Sequence, residues 1–138
     1  ILILDATSGA PSKILQQELT ARGFSVDVTN DIYDKQFYVC WQDDIDAISA
    51  KYDLVILNAD PSVTDDTHNA IYMMIWASHL FDKKKKIVIN YGKPFVALNY
   101  FPEELTMIEA NTYPSQVAIK SIVDGLVGEM EFKGHFAL

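Results

Sequence analysis

The chain has 138 residues, 49% of them hydrophobic, with 19 acidic against 11 basic side chains and a net charge of −8. One domain with a substantial core fits that length, whereas an eight-stranded βα barrel, which takes about 250 residues, does not. The acidic balance disfavours a nucleic-acid partner, because phosphate backbones repel it, and no apolar run approaches the ~20 residues of a membrane span.

Strands and helices are predicted to alternate. Residues 1–4 (Ile-Leu-Ile-Leu) form a continuous apolar run, the pattern of a strand buried on both faces. The chain opens directly in this strand, with no initiator Met and no signal segment, and the expectation is that further residues precede it in a longer parent. A turn at Ser8-Gly9-Ala10-Pro11 leads to a helix capped by Ser12 and running to Arg22, with Ile14, Leu15 and Leu19 on one face and Gly23 as its stop. Residues 24–28 form the second strand. Residues 43–52 read as a short helix and 53–58 (Asp-Leu-Val-Ile-Leu-Asn) as the third strand. A long helix is predicted over 64–84, a fourth strand over 87–90, a helical turn over 95–101, a weak fifth strand over 105–110, and a final helix over 115–127 that ends at Gly128. Repeated βα units of this kind predict a single three-layer α/β/α sandwich over residues 1–138, built on a mostly parallel, doubly wound sheet of five or six strands. In such a sheet the ligand edge lies beyond the strand C-termini.

Several residue groups are candidates for chemistry. Thr7, Ser8, Gly9 and Ser12 follow the first strand and enter a helix, where hydroxyls and free N–H groups can hold a phosphate. The segment is similar to a flavodoxin phosphate loop, but Ala6 and Pro11 stand where that loop prefers hydroxyl residues, and an ordinary turn with an N-cap is the favoured explanation. Asp5, Asp60 and Lys93 stand at three strand ends, as acids and a lysine do in receiver domains. Here, however, Ala6 replaces the second acid and Lys93 follows the fourth strand rather than the fifth. His68 and His79 are about three helical turns apart, so they cannot share an ion, and His135 lies in the tail. Cys40 is the only cysteine. No metal and no cofactor are expected, and both a reducing compartment and a bacterial exterior are compatible with the single thiol. Lys83 to Lys86 read as a helix C-terminus, where cations meet the negative end of the dipole. The run from Ile71 to Ala77 is apolar all the way round its helix. Either that helix is unusually well buried, or Tyr72 and Trp76 face another domain or subunit. Phe37 and Trp41 form a second interface candidate.

Lys86-Ile-Val-Ile-Asn-Tyr-Gly-Lys-Pro-Phe95 resembles a strand and Pro-aromatic turn in the C-terminal domain of glycoside hydrolase family 3. Pro114-Ser115-Gln116-Val117 and Leu126-Val127-Gly128-Glu129 are similar to that domain's final helix, and Gly134 to Leu138 stand where its closing segment lies. The resemblance implies an α/β sandwich packed on an N-terminal catalytic barrel of the same parent, with carbohydrate bound through that barrel. In the β-glucosidase branch the loop after the third strand supplies a catalytic Glu. The corresponding loop here, residues 59–66, has none. The resemblance therefore implies the β-N-acetylglucosaminidase branch and no catalytic residue on this chain. Asp60, Ser62, Asp65, Asp66, Gly92 and Lys93 are the residues that would frame the sugar site or the domain boundary. The alternative is a free-standing flavodoxin-like module that binds phosphate or nucleotide through Thr7, Ser8, Gly9 and Ser12.

Overall fold

A computed structural model describes residues 1–30, 41–60, 75–92, 106–110 and 112–133, the side chains of 41–43 excepted. Five parallel strands form one sheet, β1 (Leu2–Ala6), β2 (Asp27–Thr29), β3 (Val55–Ala59), β4 (Lys86–Asn90) and β5 (Met107–Glu109), in the order β2-β1-β3-β4-β5. The three central strands are the apolar runs of the sequence. All five residues of β1 and of β3 are buried, as a strand covered on both faces must be. The edge strands β2 and β5 are three residues each and only partly covered, which limits the backbone they offer to another chain.

Alternation along the strands divides the core in two. Leu2, Leu4, Ala6, Val55, Leu57, Ala59 and Val88 face one side, where Ile45 of α2 (Trp41–Ser49) packs with Ile75, Ala77 and Phe81. Ile3, Ile56, Ile89 and Tyr91 face the other, under Leu15 and Leu19 of α1 (Ala10–Ala21) and Ile119, Ile122 and Val123 of α3 (Gln116–Leu126). Helices on both faces of a five-stranded parallel sheet make the three-layer sandwich that the βα alternation predicts.

The helix ends are built from local chemistry. Gly23 adopts φ 92°, the Gly23 N–H donates to the Thr20 carbonyl at 2.9 Å, and the Phe24 N–H reaches back to Leu19 at 3.3 Å. This is a Schellman closure. It also removes Phe24 from the second strand, which starts at Asp27 and not at 24. Gly128 closes α3 in the same way, with Glu129 N–H donating to Asp124 at 2.8 Å. Arg22 then clamps the two C-termini together: its Nη1 meets Glu18 at 2.9 Å and its Nη2 meets Asp124. At the start of α3, the Ser115 hydroxyl accepts from Ala118 N–H at 3.2 Å. Replacing Ser115 with Ala is expected to cost about 1 kcal/mol, read as a lower urea midpoint with an unchanged slope.

Two expectations need correction. Ser12 does not cap α1. The cap position is Gly9, at φ 94° and with no side-chain bond, while Ser12 is fully buried and turned toward Asp5. The long helix does not reach Lys84 either. Residues 75–78 are helical and a turn follows at 79–80. Lys83–Lys85 form a separate 3₁₀ turn capped by Asp82, which accepts from Lys84 N–H at 2.9 Å. Lys86 meets the end of the preceding helix from a distance: it is buried at the start of β4, and its Nζ donates to the Ser78 carbonyl at 2.7 Å. No helix among the described residues is long and apolar enough to cross a membrane.

Candidate functional site

Apart from Ser78 and Lys86, which pair at the start of β4, the buried polar residues among those described gather at the carboxyl edge of the sheet. Register sets their places: Asp5 of β1 pairs with Asn58 of β3, and Ala59 pairs with Asn90 of β4, which pairs with Glu109 of β5. Asp60 and Tyr91 follow directly, held by Asp60 N–H to Ala6 O and Tyr91 N–H to Ala59 O, both 2.9 Å. By strand alternation Asp5, Asn58 and Tyr91 belong to the α1/α3 face, and Asn90 and Glu109 to the opposite one.

Asp5 is the hub of the first group. Its Oδ1 accepts from the Thr7 hydroxyl at 2.6 Å, the Thr7 N–H at 3.0 Å and the Ser12 hydroxyl at 2.7 Å. Asn58 Nδ2 donates to Ser12 Oγ at 2.9 Å, extending the network across to β3. Gly9 N–H donates to Thr7 Oγ1 at 3.1 Å. Thr7, Gly9 and Ser12 thus come together as the sequence suggests, but their donors are engaged by Asp5 and by one another. Ser8 is exposed. The carboxylate occupies the role that a bound anion takes in a phosphate loop.

On the same face of the sheet two buried polar atoms have no hydrogen-bond partner, Asn58 Oδ1 and the Tyr91 hydroxyl. Burial pushes the Tyr91 phenol far above its ordinary value, and the nearby charge of Asp60 adds to this. The second group repeats the pattern. Asn90 Nδ2 donates to Glu109 Oε2 at 2.8 Å, while Asn90 Oδ1 and Glu109 Oε1 are left bare. Burial raises the Glu109 carboxyl and the Asn90 bond partly offsets it.

No protein-family model, curated protein or solved structure matches the chain. The site is read from its own chemistry.

Of the other residues singled out in the sequence, Asp60 is buried at the end of β3, and Gly92 stands half-buried at φ 88° just after β4. Ser62, Asp65, Asp66, Lys93, Tyr72 and Phe37 lie outside the described residues, as does the side chain of Trp41. Trp76 is 68% exposed between buried Ile75 and Ala77, so this stretch of helix is covered on one side only. Among the described residues no group of three or more His, Cys, Asp or Glu could hold a metal ion.

Asn58 and Tyr91 open two of the three segments that the sequence places at the ligand edge (5–12, 58–66 and 91–95), whereas Asn90 and Glu109 lie outside them. A signal for the two asparagines was present: Leu-Val-Ile-Leu-Asn58 and Lys-Ile-Val-Ile-Asn90 are apolar strands that each end in the same amide. The offset register, Asn58 opposite Ile89 and Ala59 opposite Asn90, sends the two to opposite faces.

Proposed function

We propose that this chain is the accessory C-terminal domain of a family 3-like glycoside hydrolase of the β-N-acetylglucosaminidase branch, packing on a catalytic barrel of the same parent. The observation that supports this most is where the resembling segments fall. Lys86 to Asn90 are β4, Ser115 is the N-cap of α3, and Gly128 is its left-handed stop. Retaining hydrolysis needs two carboxyl groups facing each other across a bond, about 5–5.5 Å apart. Asp5 is held by three donors on Oδ1, which suits a scaffold role. In this reading catalysis belongs to the barrel, and exposed Trp76 is available to meet it.

The purified chain is expected to show no turnover of a chromogenic N-acetylglucosaminide. Measurable turnover would overturn the reading, as would an upstream coding sequence that lacks a barrel with a nucleophilic Asp. The strand order β2-β1-β3-β4-β5 is also that of flavodoxin-like modules, which keeps the phosphate-binding alternative in play. Titration with FMN separates the two. Weak or no binding is expected, because the loop donors already serve Asp5.

A further inference from the structure

In this sheet the winding reverses between β1 and β3: β1 leads outward to β2, whereas β3 leads the other way to β4 and β5. Open parallel sheets seat their ligands in the crevice at that reversal. Asp5, Asn58, Asp60 and Tyr91 converge there, placed by the register of β1 with β3 and by the backbone bonds of Asp60 and Tyr91.

The polarity of this crevice is the reverse of a phosphate site. The Thr7 N–H, the Thr7 hydroxyl and the Ser12 hydroxyl all point inward to Asp5 Oδ1. What is left without a partner is Asn58 Oδ1, an acceptor, and the Tyr91 hydroxyl, each on a fully buried side chain. Buried polar atoms are normally satisfied, and a bare one carries a desolvation cost that a bound group removes. Asp5 and Asp60 add carboxylates, so an anion is disfavoured. Both, with Thr7, keep 5–7% of their surface exposed at the same edge.

We propose that the β1/β3 crevice binds a small molecule that offers N–H or O–H donors and carries no anionic group. Asn58 Oδ1 and the Tyr91 hydroxyl hold it, with Asp60 alongside. The proposal does not depend on the glycosidase reading, since it concerns the unpartnered Asn58 and Tyr91 groups of this chain.

The test is a titration of the ¹⁵N-labelled chain with glucosamine, sorbitol, spermidine and inorganic phosphate, following the Asn58 side-chain amide resonances. Glucosamine, which has both hydroxyls and an ammonium, is expected to shift them saturably, and phosphate is not. Saturation with sorbitol alone would assign the hydroxyls as the recognised donors, and with spermidine alone the ammonium. The variant Tyr91→Phe removes only the unpartnered hydroxyl. It is expected to bind roughly tenfold more weakly while melting no lower than the parent, which separates lost binding from lost folding. No saturable shift with any donor ligand, phosphate binding at least as tightly, or unchanged affinity in Tyr91→Phe would overturn the proposal.

Discussion

Replacing Asp5 with Ala is expected to destabilise the protein by about 3–5 kcal/mol, the largest effect of any single polar substitution among the described residues. One buried oxygen of Asp5 accepts three hydrogen bonds, two of them shorter than 2.8 Å, the range of charge-assisted O–H···O⁻ contacts. Truncation strands the Thr7 N–H, which cannot rotate to another partner, and frees Ser12, which no longer positions Asn58. A further loss follows from α1. Its N-cap is Gly9, which supplies no side-chain acceptor, and the Asp5 carboxylate stands close to that helix N-terminus: Oδ2 lies 3.9 Å from where a Gly9 Cβ would stand. Asp5→Asn keeps an acceptor oxygen but loses the charge and is expected to cost roughly 1–2 kcal/mol. Urea unfolding measures both. A loss below 1 kcal/mol for Asp5→Ala would mean that the three bonds are not a joint anchor.

This hub shows how far pattern reading reaches. Strands β1, β3 and β4 are legible because a strand buried on both faces must be apolar at every position, and no helical period competes in runs as short as Leu-Val-Ile-Leu. The stops of α1 and α3 are legible for a similar reason: Gly23 and Gly128 take positive φ, which side chains avoid. Ser12 is different. A hydroxyl before an apolar helical stripe is the usual N-cap signature, and nothing local reveals that a carboxylate seven residues earlier folds over it. The helix end before Lys83 fails for a related reason. Four lysines continue a helix as well as they end one, and the choice rests on Asp82 capping the next turn and on Lys86 reaching the Ser78 carbonyl. Trp76 tests the apolar run from the other side. An all-round apolar helix suggests either deep burial or a face turned to a partner; among the described residues Ile75 and Ala77 meet the core while Trp76 is exposed.

Glu109 was illegible for a topological reason. It sits in a three-residue edge strand, and its partner is known only once β5 is paired with β4. That pairing also yields the second large expected effect: Glu109→Gln is expected to raise stability by about 1 kcal/mol at pH 7. Glutamine keeps a carbonyl oxygen for Asn90 Nδ2 and replaces bare Oε1 with an amide NH₂, which removes one unpartnered acceptor and offers a donor to the other, Asn90 Oδ1. The pH dependence follows from the sign of the carboxyl's shift. Burial raises Glu109 above its unfolded value of 4.5, so the folded state binds the proton more tightly than the unfolded one. The resulting stabilisation is fully present below about pH 4.5 and is lost as pH rises through the higher folded value. The advantage of Glu109→Gln should therefore vanish in acid, where the native carboxyl carries its own proton, and grow toward neutrality. Urea midpoints of the parent and the variant from pH 3.5 to 7.5 measure the divergence. An advantage that stays constant across that range would exclude Glu109 ionisation as its source, and a variant less stable than the parent at pH 7 would exclude the amide pairing itself.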